Sequence, residues 1–261
     1  MKLSLKMKTW GCFLIMVLCM GLIACTTSNE DDNGGDGNND NGSKISSIVM
    51  NGYEGNGELR YTYDEQGRVT RVHAIISDDG EQYIYETTYT YYENTIVQVE
   101  YFEDDEERFI TVYTLNENGL VHKMEYDDSI LFYDYDSENR AIRTGYQDEQ
   151  TSEIVWNDNI TWRNGNIVKE SHGDAEEITY YENTTDTYGI NGLYCGLSGD
   201  EWGVLYQQGY FGKKSINLMK HRGWRSFTYT ITDNKVKTMN VRLEDPYVPE
   251  GTYTTITFNY Q

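Results

Sequence analysis

Cysteine is nearly absent from the body of this chain. Of the four present, Cys12 and Cys19 fall in an N-terminal apolar run, Cys25 ends that run, and Cys195 stands alone in everything that follows. One thiol cannot staple a domain, so a disulfide framework is excluded. Proline is scarcer still. Pro246 and Pro249 are the only two, so nothing forbids long paired strands before them. Basic residues are few: 21 Lys and Arg stand against 43 Asp and Glu, a net charge of -22. That balance disfavours nucleic acid and anionic lipid surfaces, which both need a basic footprint. The four histidines, His73, His122, His172 and His221, are isolated. None stands in the spacing that a zinc site uses. No nucleophile elbow, phosphate loop or dinucleotide fingerprint occurs. No catalytic residue, metal ligand or cofactor is therefore assigned.

What the chain does have is tyrosine. Low hydrophobicity with high charge can mean disorder, but 24 Tyr and 5 Trp bring large areas to bury. They come in a repeated phrase. Its clearest copy is Arg60-Tyr61-Thr62-Tyr63-Asp64-Glu65-Gln66-Gly67-Arg68-Val69, a strand, a polar turn and the start of a second strand. Further copies begin at Tyr89, Tyr113, Tyr133, Ile160, Ile178 and Tyr229. Their spacing is irregular, which excludes a strict solenoid or propeller period. Asp79-Gly80, Asn118-Gly119, Asn164-Gly165 and Asp233-Asn234 supply the positive φ of tight hairpin turns. Between turns the residues alternate. Tyr83, Tyr85, Tyr89 and Tyr91 share one face, and Glu86, Thr88 and Thr90 the other.

This pattern predicts an all-β fold, an antiparallel meander of roughly fourteen to sixteen strands. A sheet that long must curl, split or close, and closure removes its edges. A membrane barrel would show an outward apolar band with aromatic girdles. The polar positions here are Thr, Glu, Lys, Arg and Asn, so a soluble barrel or half-barrel over residues 44–261 is expected.

The first 24 residues read as a signal peptide. Met1 to Thr9 is basic, and Gly11 to Ile23 is apolar but shorter than the ~20 residues of a spanning helix. Leu22-Ile23-Ala24-Cys25 resembles the lipobox of bacterial lipoproteins, with Cys25 as the lipidated residue. Acyl chains on Cys25 would hold the protein to a membrane. Thr26 to Ser43 has no apolar residue and is dense in Gly, Asn and Asp, the composition of a flexible tether. A calcium loop opening at Asp36 would need Gly at its sixth position and Glu at its twelfth, where Asn41 and Ser47 stand. Glu30-Asp31-Asp32 resembles the export signal of Bacteroides-type surface lipoproteins, implying an outer-membrane, surface-exposed address.

Residues 184–225 break the strand pattern. Ser198 and Glu201 spell a capping box, and Trp202, Leu205 and Tyr206 recur at helical spacing behind it. A short helix over residues 199–208 is predicted, filling the lumen as a plug with Trp202 in its core. The alternative is a ligand platform of Trp202, Tyr210, Phe211 and Trp224 that stacks a sugar. Cys195 between Tyr194 and Gly196 has no local signature of a nucleophile and reads as a buried thiol.

Two resemblances follow. Arg60 to Val69 resembles the tyrosine-aspartate repeat of rearrangement-hotspot toxins and teneurins, which wind into a β-shell. The whole plan is similar to a family of Bacteroides-type lipoproteins described as having a porin-like fold. That plan joins the lipobox, the acidic tether, the Tyr-rich hairpins and the late Gly-Tyr-Phe-Gly-Lys-Lys-Ser-x-x-Leu segment at Gly209 to Leu218. The family implies a fold and no activity. The function expected is a lipid-anchored, non-enzymatic envelope module that binds a glycan or an envelope protein. A hydrolase with a hidden carboxylate pair and a calcium-stabilised adhesin are the alternatives.

Overall fold

The computed structural model describes residues 43–78, 81–102, 107–127, 129–148, 150–170, 177–197 and 203–261. The leader, Cys25, the tether, Asp79-Gly80 and Ser198 to Trp202 lie outside the described residues.

Sixteen strands form one antiparallel sheet. They are β1 (Ile45–Gly52), β2 (Asn56–Tyr63), β3 (Val69–Asp78), β4 (Glu81–Tyr91), β5 (Thr95–Phe102), β6 (Phe109–Leu115), β7 (Val121–Tyr126) and β8 (Ser129–Tyr135). Then come β9 (Ala141–Gln147), β10 (Ile154–Arg163), β11 (Asn166–Glu170), β12 (Ile178–Tyr180), β13 (Met219–Arg222), β14 (Arg225–Thr232), β15 (Lys235–Leu243) and β16 (Tyr253–Tyr260). Every strand pairs with its neighbour in sequence except at one seam, and β1 pairs with β16. Among the described residues one bridge crosses the seam, from Lys169 of β11 to Glu177, just before β12. The result is a nearly closed barrel. The turn residues take the left-handed conformations expected of them: φ is 73° at Gly119, 50° and 74° at Asn164 and Gly165, and 52° and 56° at Asp233 and Asn234.

The alternation sorts the walls. Along β4, Thr87 and Tyr89 are buried with Tyr85 and Tyr91 half-buried beside them, all on the inner face. The inner faces of β1, β2, β3, β5, β6, β15 and β16 add Ile48, Leu59, Val72, Ile96, Tyr113, Met239 and Phe258, all buried. The outer face carries ion pairs in mid-strand: Arg71 with Glu86, Lys123 with Glu125 at 2.8 Å, and Arg143 with Asp134 at 2.6 Å. Val97, Val99 and Val112 sit among them. A cation facing lipid costs about 2 to 4 kcal/mol at the bilayer midplane, so these walls suit water.

The barrel has two rims. At the near rim the sheet begins and ends: Lys44 and Gln261 exchange backbone hydrogen bonds of 3.1 and 2.9 Å. The far rim holds the β1–β2 turn at Glu54 and the β13–β14 turn at Trp224. At the near rim, seven of the eight odd-numbered strands carry a β-bulge next to their first or second residue, β5 being the exception. A bulge leaves a ladder group unpaired, and a buried carbonyl needs a donor. In each case an aromatic side chain of the following strand provides it. Tyr63, Tyr91, Tyr135, Tyr180, Tyr229 and Tyr260 donate through their hydroxyls to the carbonyls of Ile45, Val69, Val121, Ile167, Met219 and Val236, at 2.6 to 2.9 Å. Trp162 donates its indole N–H to Ala141 O at 2.7 Å. β5 has no bulge, and β6 ends in Leu115, which has nothing to donate.

The segment between β12 and β13 fills the lumen. Its neck is closed by Tyr181 N–H to Leu218 O at 3.0 Å. A 3₁₀ turn over Ile190–Tyr194 descends toward the far rim, where Tyr194 OH donates to Glu54 Oε2 at 2.9 Å. The chain then returns through α1 (Val204–Gln207) to the near rim, where Tyr210 O accepts from Val121 N–H at 2.8 Å. Val204, Leu205 and Tyr206 are all buried and Gln207 is half-buried, so α1 packs three of its four side chains inside. Of the predicted helix over 199–208, the described residues form a single turn beginning at Val204. Its N-cap is Gly203 at φ 61°, with no side-chain cap. Glycine is required there, because a Cβ would lie 2.4 Å from Gly192 O where the two turns cross.

Candidate functional site

Three of the four residues of the expected ligand platform are described, and they are not brought together. Trp202 lies outside the described residues. Trp224 is exposed at the far rim, whereas Tyr210 and Phe211 belong to the near rim. Phe211 is fully buried, edge-on to Tyr133 at 5.1 Å and to Tyr113 at 6.4 Å between ring centres. A ring packed on both sides cannot stack a ligand. Its neighbour Tyr210 is half-buried and lines a cleft.

That cleft has a volume of about 340 Å³ and opens at the near rim. Three parts of the chain build it. The start of β1 contributes Lys44, the β2–β3 turn contributes Tyr63, Gln66 and Arg68, and the plug contributes Thr187, Tyr188, Gln207, Gln208 and Tyr210. The turn is a rigid unit. Asp64 Oδ1 accepts the Arg68 backbone N–H at 2.8 Å, and Asp64 Oδ2 accepts Arg68 Nε at 2.7 Å. Burial pushes the Asp64 carboxyl up, but the Arg68 N–H and guanidinium outweigh it and hold the group below its ordinary value. Arg68 then lies flat over Tyr91, with its guanidinium carbon 4.4 Å from the ring centre. Tyr210 stacks on the same ring at 5.9 Å. Lys44 Nζ lies 5.0 Å from the centre of the Tyr63 ring. Burial raises the phenol of Tyr63 to about 12, and Tyr210 moves the same way for the same reason. Both stay neutral at physiological pH. Tyr188 is held against Tyr260, at 4.9 Å between ring centres.

The cleft thus alternates aromatic faces with amide, ammonium and guanidinium donors. In binding pockets, ring faces of this kind cover C–H surfaces and fixed polar groups set orientation. Of its residues, the sequence reading singled out Tyr210 alone. Tyr63 and Arg68 stood in the clearest hairpin copy, where they read as structure. Tyr188 and Gln208 carried no signal.

Cys195 is buried, and its Sγ lies 3.2 Å from Glu170 Oε1. Burial pushes its thiol well up, and the neighbouring carboxylate adds to this. Such a thiol is a poor nucleophile. Among the described residues, no three His, Cys, Asp or Glu side chains gather as a metal site would require.

A sixteen-strand, nearly closed antiparallel barrel with a segment packed in its lumen defines the class, a porin-like fold. The particular family follows from the sequence. Residues 61–244 match the model described as "Domain of unknown function (DUF4595) with porin-like fold", and the chain belongs to that family. Two solved structures share the fold. A porin-like protein from Bacteroides uniformis ATCC 8492 is 14% identical with a TM-score of 0.64, the match covering 83% of this chain and 98% of that one. A porin-like protein from Bacteroides vulgatus ATCC 8482 is 10% identical with a TM-score of 0.52, at the same coverages of 83% and 98%. No curated protein matches the sequence.

Proposed function

We propose that the protein is a lipid-anchored envelope module that binds a glycan in the near-rim cleft and catalyses no reaction. The observation that carries this reading is the cleft's lining, in which Tyr63, Tyr188 and Tyr210 alternate with Lys44, Arg68, Gln66 and Gln208. The lumen supports a binding role over a transport one, because Phe211, Leu205 and Tyr206 fill it. Membership in a porin-like family with relatives from Bacteroides supports an envelope address. The lipobox-like Leu22 to Cys25 supports the anchor.

The deciding experiment is a glycan array probed with the full chain and with a Tyr210→Ala, Tyr188→Ala double variant. Binding to at least one glycan class is expected, with loss of about tenfold or more in affinity for the variant. Equal binding by both proteins, or none by either, would overturn the reading. The anchor is tested separately. Cys25→Ser should move the protein from the membrane fraction to the soluble one under high salt, and retention would refute lipidation.

A further inference from the structure

On the far-rim side of Leu193 and Tyr194 the described residues leave an apolar hollow. The inner wall there carries Met50 of β1, Ile76 of β3, Tyr85 of β4 and Ile256 of β16, and the plug contributes Leu193 and Tyr194 as the floor. They line an open hollow of about 320 Å³. Across Tyr85 lies a second hollow of about 210 Å³, lined by Phe102, Phe109 and Tyr126 among others. The contrast with the rest of the lumen is sharp. Ile48, two positions along β1 from Met50, is fully buried, and so is Ile256 in the lining, whereas Met50, Ile76, Tyr85 and Leu193 are only half-buried. Apolar walls facing an unfilled space forgo both the burial and the contacts that a packed core would give them.

The charge at this site is already spent. Glu54 lines the hollow, but its Oε1 accepts from Arg225 Nε at 2.7 Å and its Oε2 from Tyr194 OH at 2.9 Å. Its backbone N–H donates to Thr254 Oγ1 at 2.9 Å. The carboxylate is thus neutralised within the protein, and a charged ligand would find no counter-ion on Glu54. A volume of this size falls within the range of small-molecule pockets, about 300 to 1,000 Å³.

We infer that the far-rim hollow is a second binding site, for an uncharged hydrocarbon group of small-molecule size. Such a group comes either from a free apolar molecule or from one acyl chain of a lipid. The site shares no residue with the near-rim cleft, so it stands or falls independently of glycan binding.

The test uses the full chain carrying Cys25→Ser, which removes acylation, and the neutral fluorophore N-phenyl-1-naphthylamine. A saturable rise in emission with a stoichiometry of one is expected. Decanol should displace the probe. Displacement by lysophosphatidylcholine as well assigns the acyl source, and displacement by decanol alone assigns a free molecule. Ile76→Trp and Leu193→Trp fill the hollow from opposite walls, so one can fail to fold without ending the test. A variant that keeps the parent's melting temperature should bind the probe about tenfold more weakly or worse. Tyr210→Ala should bind it as the parent does. Any signal from the apolar leader is common to all of these proteins and cancels in the comparison. Unchanged binding in a folded, filled variant would overturn the inference, as would the absence of saturable binding in the parent.

Discussion

Asp186 is a carboxyl held wholly inside the plug. Its two oxygens accept the backbone N–H groups of Ile190 at 2.7 Å and Asn191 at 2.9 Å, and so start the 3₁₀ turn. Desolvation opposes the charge and wins over those hydrogen bonds and over nearby Lys214, raising the group from 3.8 to about 6. Lys214 is itself pushed down by burial. The sign follows. A carboxyl with a raised folded pKa stabilises most fully below its unfolded value, and that contribution is lost as pH rises through about 6. Asp186→Asn removes the titration. Between about pH 7.5 and about pH 5 the native protein should therefore gain on the order of 1 kcal/mol relative to the variant. Urea denaturation at the two pH values measures this, and identical pH slopes would show that Asp186 titrates as an exposed acid does. Asp64, Asp136 and Asp148, whose carboxyls are held low, act in the opposite sense and only in more acid solution.

Among elements, the hairpin with its bulge is the repeating unit. The chain writes Tyr at the end of a strand because the preceding strand has a carbonyl to satisfy there. Removing one hydroxyl leaves that carbonyl buried without a donor, a cost of about 1 to 3 kcal/mol. Tyr63→Phe and Tyr135→Phe should each lose stability in that range, since their hydroxyls donate to Ile45 O at 2.7 Å and Val121 O at 2.6 Å. Tyr53→Phe should change it by no more than about 0.5 kcal/mol, because that side chain is exposed. Equal effects at all three sites in equilibrium unfolding would refute the bulge-and-donor account. The missing donor at Leu115 supports it already, because that place faces the one odd strand without a bulge at its start.

At the scale of the molecule, the plug holds opposite walls together. Phe211 meets Tyr113 of β6 and Tyr133 of β8, while Tyr194 meets Phe227 of β14 and Tyr188 meets Tyr260 of β16. A sheet whose seam is crossed, among the described residues, by one backbone bridge depends on such ties. The pair Arg222 and Glu170, 2.8 Å apart, adds another between β13 and β11. Phe211→Ala should cost about 3 to 5 kcal/mol, a large part of the roughly 5 to 15 kcal/mol of a typical domain. Its melting curve, followed by near-ultraviolet circular dichroism, should fall sharply and remain a single transition. An unchanged melting temperature would mean that the plug is dispensable to the barrel.

The sequence alone determined the strands, their inner and outer faces and their turns. Those depend on neighbours two residues apart and on the φ that Gly, Asn and Asp accept, so residues such as Tyr85, Glu86 and Gly119 carried their own meaning. It determined the absence of a disulfide framework, since Cys195 has no partner thiol in the body of the chain. It also pointed to a plug in residues 184–225, although that stretch runs on past the plug into β13 and the β13–β14 turn. Three things were decided only in three dimensions. Closure pairs Ile45 with Tyr260, a register that no local pattern records. The helix begins at Val204, because Gly203 must pass the backbone of Gly192. The near-rim cleft joins Lys44, Arg68 and Tyr210. They meet only after the plug has returned to the near rim, so the same aromatic alphabet spells core at Phe211 and cleft wall at Tyr210.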